Sequence, residues 1–324
     1  MSTECYPIAM LPNTSRLYRD YVAMGEAPGS RVRAWYGAEP LGRSWMRPAP
    51  PPPHPEALAT ALEAQAAGFG ASAETLANIA KLRTGARAVV TGQQVGLLGG
   101  PLLVLLKAAT AIARAKQATE ATGVAHVPIF WCATEDHDLD EADQVTLLSK
   151  AAIETLRLPI DRNGSAPVGS VHLGREIEAV LDRASELLGY TPVCDLLRDC
   201  YQPNATFGRS FAGLLTRLFA AEGLIVMDAA GRDFHALGST VLRGAIERAA
   251  DLEAALIARS SELESAGYHA QVLVKPGASL LFFIADDGLR VPLRRSPEGA
   301  WKAGTGKPSS AMKNSSDAPG LTST

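Results

Sequence analysis

Two apolar runs each break off into a cluster of polar residues, at a separation that fits one β-α-β unit. Ala88, Val89 and Val90 lead into Thr91-Gly-Gln-Gln-Val-Gly-Leu-Leu-Gly-Gly-Pro101, and Val127, Ile129, Phe130 and Trp131 lead into Cys132-Ala-Thr-Glu-Asp-His-Asp138. Short apolar runs bounded by turn residues read as buried strands, and the polar clusters then fall in loops at their carboxyl ends. Between them Pro101 suits the first position of a helix running to about 116, because its missing N–H costs nothing there. A turn near Gly123 returns the chain to a second strand at 127–133, parallel to the first through a right-handed crossover. Residues 224–228 supply a third core strand, again ending in an acid, Asp228.

Upstream, alanine-rich segments with leucines at helical spacing predict helices over 56–65 and 72–82, broken at Gly68-Phe-Gly70. Downstream, 147–158 predicts strand with a turn at Asp161-Arg-Asn-Gly164, 176–188 and 207–222 predict amphipathic helices, and 232–265 an exposed helical layer. Apolar runs at 271–275, 279–284 and 289–293, separated by turn sequences, predict an antiparallel meander. The expected fold is α/β: a Rossmann-like parallel sheet core with helical insertions and a short antiparallel meander near the C-terminus. Residues 1–60 are expected to be irregular, ending in a proline-rich spacer and packing on the core. Residues 61–300 are expected to form that core, with a helical connecting insertion at about 175–222, and 301–324 a disordered tail where hydrophobic spacing vanishes.

At 324 residues and 47 % hydrophobic content the chain can bury a large core. Its 31 Lys and Arg against 34 Asp and Glu leave a net charge of −3, too weak a field to recruit nucleic acid or an anionic membrane. The N-terminus lacks the basic-then-apolar pattern of a secretory signal. The four cysteines show no metal-site spacing, so free thiols in a reducing, cytoplasmic compartment are expected. Cys132, three residues before Glu135, reads as a buried strand thiol rather than a group facing a site.

The glycine-rich cluster matches neither the dinucleotide fingerprint nor the Walker P-loop. A glycine-rich turn running into a helix N-terminus nevertheless offers free N–H groups and a positive dipole end, suited to a phosphate or a carboxylate. Gln93 and Gln94 add amide donors. Glycines needed only for tight strand-to-helix packing are the plain alternative, and Lys107, two turns inside the helix, suits either the crevice or the surface. Glu135, Asp136, His137 and Asp138 crowd three acids around one imidazole, which raises carboxyl pKa values and brings proton transfer near neutrality. Two roles fit: Mg²⁺ coordination near a nucleotide, or general base catalysis by His137 oriented by an acid. Strand-like alternation would put Glu135 and His137 on one side, with Asp136 and Asp138 on the other. A helix cap by Asp138 or Asp140 is compatible with either role. His126, His172 and His235 read as isolated, while Tyr268 and Gln271 form a weaker polar cluster able to close a pocket.

These blocks, with Ala205-Thr-Phe-Gly208, Gly223-Leu-Ile-Val-Met-Asp228 and Gly267-Tyr-His-Ala-Gln-Val272 following in order, resemble the cysteine ligases of bacillithiol biosynthesis called BshC. The resemblance runs from near the N-terminus to about Pro297. It implies amide formation between the carboxyl group of L-cysteine and the amine of glucosaminyl-malate, with ATP/ADP and Mg²⁺ as candidate cofactors. It assigns Thr91, Gly92, Gln93, Gln94 and Gly96, with Lys107, Tyr268 and Gln271, to substrate binding. It gives acid–base or phosphate contact to His137, with Glu135, Asp136 and Asp138 positioning it or the amine. It also implies a family homodimer held by a C-terminal coiled coil absent here, so that the chain reads as a C-terminally truncated form. Two other readings stand beside it: a nucleotidyltransferase-like enzyme forming an adenylate, and an inactive fragment that only binds ligand.

Overall fold

A computed structural model describes residue 10 and residues 12–23, 31–36, 42–46, 50–136, 138–149, 153–160, 167–272, 274–284 and 290–303. Its centre is a parallel sheet in the order β1 (Arg87–Gln94), β2 (His126–Ala133), β5 (Ile225–Asp228). β1 and β2 run in register from Arg87 opposite His126 to Gln94 opposite Ala133, and β2 pairs with β5 from Ile129 opposite Ile225 to Cys132 opposite Asp228. The crossover helix α5 (Leu102–Thr122) takes Pro101 as its N-cap and ends at Gly123, whose φ of 70° lets its N–H reach the Thr119 carbonyl.

Alternation along the buried strands sends side chains to two different cores. Val127, Ile129 and Ile225 pack with Leu62, Ile79 and Leu82, which come from α3 (Pro55–Phe69) and α4 (Ala73–Arg83). Phe130, Cys132 and Val226 pack on the other side with Val104 and Ala108 of α5 and with Phe211 of α9 (Phe207–Leu218). The predicted helices at 56–65 and 72–82 are thus present, the first extended to Phe69 and closed by left-handed Gly70, the second capped by Ser72.

The predicted strand region at 147–158 is a hairpin, β3 (Gln144–Leu148) with β4 (Ile153–Arg157), in a separate antiparallel sheet. The turn predicted at 161–164 lies outside the described residues. The helical insertion contains α7 (Glu176–Leu188), and also α8 (Pro192–Cys200), which the pattern did not suggest. After β5 come α10 (Arg232–Leu237), α11 (Ser239–Glu247) and α12 (Ala249–Ser265).

The meander is present but shifted by one strand. β6 (Ala278–Ile284), β7 (Arg290–Arg295) and β8 (Trp301–Ala303) form it, whereas the predicted first strand at 271–275 is not a strand where described. Lys302 pairs with Arg294 and Trp301 with Arg295, so the expected disordered tail begins with three ordered residues. The remainder, 304–324, lies outside the described residues.

The expectation of an irregular 1–60 is also corrected, since α1 (Arg16–Val22) and α2 (Arg31–Tyr36) fall within it. Residues 1–49 and 250–276 form one compact unit, with Leu17, Val32 and Leu263 buried beside Trp35 and Tyr268. The described residues of 50–249 and 277–303 form the other, which holds the parallel sheet. Apolar residues at helical spacing in both short helices bury against α12, a long-range contact no local pattern displays. Among the described residues no helix is long and apolar enough to cross a membrane.

Candidate functional site

β1 does not stop where the glycine cluster begins. Thr91, Gly92, Gln93 and Gln94 lie within the strand, because β2 runs equally far and keeps them paired. Gly92 is glycine for a steric reason: a Cβ there would stand 2.6 Å from the Trp131 carbonyl oxygen. The true loop is 95–101, and it folds on itself. Gly99 N–H donates to the Gly96 carbonyl at 3.2 Å and to the buried Tyr201 hydroxyl at 3.1 Å, and Gly100 N–H donates to the Leu97 carbonyl at 2.9 Å. Tyr201 in turn donates to the Gly96 carbonyl at 3.1 Å. The expectation of free N–H groups is therefore corrected at Gly99 and Gly100, where the loop's own turn and Tyr201 engage them.

A cleft of about 450 Å³ opens at the carboxyl ends of β1 and β2. One wall carries Gln93, Gln94 and Gly96 and the start of α5; the other carries Asp136, Asp138 and Glu141. Gln94 Nε2 donates to Asp136 Oδ2 and joins the two walls. Lys107 donates to Gln93 Oε1 at 2.6 Å and to the Gly92 carbonyl at 3.3 Å, so it holds Gln93 from behind rather than lining the cleft. Thr91 is opposite Phe130 in the sheet and is not part of the lining.

The acid cluster is a turn, and of the expected division its described side chains show Asp136 and Asp138 together and Glu135 apart from them. Asp136 and Asp138 line the cleft, whereas Glu135 turns away. Asp138 also caps the short helix α6 (Leu139–Ala142), accepting from Glu141 N–H at 3.3 Å. His137 lies outside the described residues. Two backbone bonds fix this turn, Gly169 N–H to the Thr134 carbonyl at 2.9 Å and Val168 N–H to the Asp136 carbonyl at 2.7 Å. Thr134 donates its hydroxyl to Asp228 Oδ1, and Gln65 clamps the Asp228 backbone, accepting from its N–H at 3.0 Å and donating to its carbonyl at 2.9 Å.

His235 is not isolated. Its Nε2 lies 3.3 Å from Glu135 Oε1, across the carboxyl ends of β2 and β5. A histidine seven residues after a core strand and within a short helix gives no periodic signal of that contact. His126, by contrast, is structural, its Nδ1 bonded to the Val124 carbonyl at 2.8 Å. Cys132 is fully buried, and that burial, reinforced by the Asp228 charge, pushes its thiol pKa well above the ordinary range. Tyr268 and Gln271 belong to the other unit, where Tyr268 donates to Asp20 Oδ2 at 2.6 Å and Gln271 donates to the His269 carbonyl at 3.0 Å.

The helix start and the amide wall suit an anionic group, while the acidic wall suits a cation or an ammonium. No three His, Cys, Asp or Glu side chains among the described residues are gathered so as to hold a metal ion.

Comparison with known proteins adds an independent line. Residues 1–310 match the family model described as bacillithiol biosynthesis BshC, N-terminal Rossmann-like domain. A Koribacter versatilis protein named "Putative cysteine ligase BshC" is 41 % identical over 91 % of this chain and 55 % of its own length. Proteins of the same name from Chlorobaculum tepidum and Geobacillus thermodenitrificans are 35 % and 32 % identical, over 75 % and 84 % of this chain and 44 % and 52 % of theirs. The chain thus spans about half the length of the curated relatives it matches.

Proposed function

The chain belongs to the BshC family of bacillithiol biosynthesis, and on that premise we propose that it carries the reaction cleft of a cysteine ligase, joining the carboxyl group of L-cysteine to the amine of glucosaminyl-malate. The observation that carries this reading is the two-sided cleft. Cysteine and glucosaminyl-malate each combine an amine with carboxylate, and a site for them needs donors and acids facing one another. Gln93, Gln94 and the α5 N-terminus supply the first, and Asp136, Asp138 and Glu141 the second. A volume of about 450 Å³ lies within the range typical of small-molecule sites.

A carboxylate does not acylate an amine until its oxygen becomes a leaving group, and ATP with Mg²⁺ is the proposed source of that activation. Phosphate oxygens fit the donor wall and a magnesium ion fits the acidic wall, although that wall alone does not gather a metal cage. Lys107 keeps Gln93 pointed at the cleft, and the Gln94 to Asp136 bond sets the spacing of the walls. His137 is proposed for acid–base or phosphate contact, with Glu135, Asp136 and Asp138 positioning it or the amine. Thr91, Gly92 and Gly96 belong to the backbone that carries the donor wall. Cytoplasmic residence and family homodimerisation belong to the same proposal.

The test supplies cysteine, glucosaminyl-malate and ATP-Mg²⁺ to the purified chain and measures bacillithiol by mass spectrometry. Amide product is expected, and Asp136→Asn is expected to raise KM for glucosaminyl-malate by about tenfold, the loss of one charged contact. Adenylate or pyrophosphate without amide would overturn the ligase reading in favour of nucleotidyl transfer.

A further inference from the structure

We infer that the β3–β4 hairpin carries a sugar subsite of the cleft, in which Gln144 and Thr146 bind ring hydroxyls of the aminosugar acceptor; this rests on the ligase reading above. Both residues line the cleft, on the strand that follows the acidic wall in the chain. Side chains two positions apart on a strand share a face and stand about 7 Å from one another, near the span of a hexose ring. Val145 between them is buried with the core. Glucosaminyl-malate carries its amine directly on the sugar ring. An amine held by Asp136, Asp138 and Glu141 therefore brings the ring against whatever borders that wall, and Gln144 lies three residues beyond Glu141 in the same lining.

Gln144 is held at both ends of its amide. Nε2 donates to the Asp140 carbonyl at 2.6 Å, and Oε1 accepts from Arg157 Nη2 at 3.1 Å. A guanidinium only donates and a carbonyl only accepts, so these partners fix which end is nitrogen and which is oxygen. Beyond these two bonds the amide keeps the capacity for one more as donor and one more as acceptor. That combination matches a hydroxyl group, which does both, whereas a carboxylate would use only the N–H and an ammonium only the oxygen. Thr146 adds a hydroxyl 2.9 Å from that of Thr155, directly opposite on β4. Two hydroxyls that share one bond still offer an O–H and lone pairs to a ligand.

The hairpin is anchored from behind. Leu158 N–H donates to the Asp143 carbonyl at 2.8 Å, Arg157 Nε stands 3.8 Å from the buried Asp143 carboxylate, and Arg183 of α7 donates to both oxygens of Glu154 at 2.8 and 2.5 Å. A polar surface whose backbone and rotamers are fixed in this way loses little freedom when a ligand binds.

Gln144→Ala is assayed in the full chain with cysteine, glucosaminyl-malate and ATP-Mg²⁺. It is expected to raise KM for glucosaminyl-malate by about tenfold while kcat and KM for cysteine keep their wild-type values, the pattern of a lost ground-state contact. Thr146→Val, which keeps the shape and strand preference of the residue, is expected to raise the same KM by about fivefold, and it keeps the test decisive if Gln144→Ala does not fold. Glucosaminyl-malate with single ring hydroxyls replaced by hydrogen gives a readout that a merely structural role would not move. For at least one such deoxy compound the penalty seen with the wild type should vanish in Gln144→Ala, because the contact is already lost. An unchanged KM in both variants, a KM for cysteine that rises as much as that for glucosaminyl-malate, or deoxy penalties equal in wild type and variant would overturn the subsite and leave the ligase reading intact. Calorimetric titration with glucosaminyl-malate separates the two in the other direction. A chain that forms no amide yet binds this compound, and binds it more weakly as Gln144→Ala, loses the ligase reading and retains the subsite; a chain that neither forms amide nor binds loses both.

Discussion

Cys132 shows how far a residue's chemistry is set by its surroundings. It sits two residues before Thr134 on the strand that feeds the acid cluster, close in sequence to Glu135, Asp136, His137 and Asp138. Alternation nevertheless points it into the core formed by Phe130, Val226 and α9, where it is fully buried. Burial disfavours the thiolate and the Asp228 charge disfavours it further, so the thiol stays protonated at neutral pH. Native protein at pH 8 is expected to leave Cys132 unmodified by iodoacetamide, with labelling appearing only in urea, as peptide mass mapping would show. Rapid native labelling would place Cys132 at the surface and undo the assignment of strand faces. Residue identity made the buried reading of Cys132 legible, and it made Asp138 legible as a helix cap. It did not reveal His235, because a hydrogen bond between residues one hundred positions apart leaves no trace in either neighbourhood.

At the level of elements, hydrophobic spacing predicted the β-α-β unit and the turn at Gly123, and the structure has both. The end of β1 was the chief error. Glycines and glutamines usually end strands, but here the neighbouring strand continues, and backbone pairing overrides local preference through Gln94. The loop that follows depends on a distant element. Tyr201, which caps the C-terminus of α8, reaches both Gly96 and Gly99 with one buried hydroxyl. Tyr201→Phe is expected to destabilise the protein by about 0.5–1.5 kcal/mol, because the Gly96 carbonyl loses one of its two donors and the Gly99 N–H one of its two acceptors. Urea unfolding measures this, and an unchanged midpoint would show that the loop holds its shape without α8. The helix α8 itself escaped prediction because its apolar positions, Cys194, Leu197 and Cys200, include two cysteines, a weak signal for a buried helical face.

For the whole molecule, the parallel sheet has two different edges. β1 pairs only with β2 among the described residues, and Val90 near its middle is 55 % exposed. Trp131, on the adjacent strand, is 45 % exposed on the same face, since Gly92 opposite it has no side chain. An accessible apolar edge strand is a template for pairing with another chain. Val90→Lys is therefore expected to lower the fraction of associated species in light scattering while shifting stability by less than about 0.5 kcal/mol. Equal association in both forms would locate self-contact elsewhere. The chain spans about half the length of its curated relatives, and the activity of the whole protein accordingly remains the proposal made above. By itself the sequence determined the α/β class, the three parallel strands, the crossover and the position of the acid cluster, because these follow from periodicity and turn chemistry within short windows. Only tertiary structure decided that Thr91 to Gln94 stay in the sheet, that Tyr201 occupies the loop's N–H, and that Asp136 faces the cleft while Glu135 meets His235. Each of those outcomes depends on groups brought together across the chain, where steric fit and the need to satisfy buried polar atoms outweigh local preference.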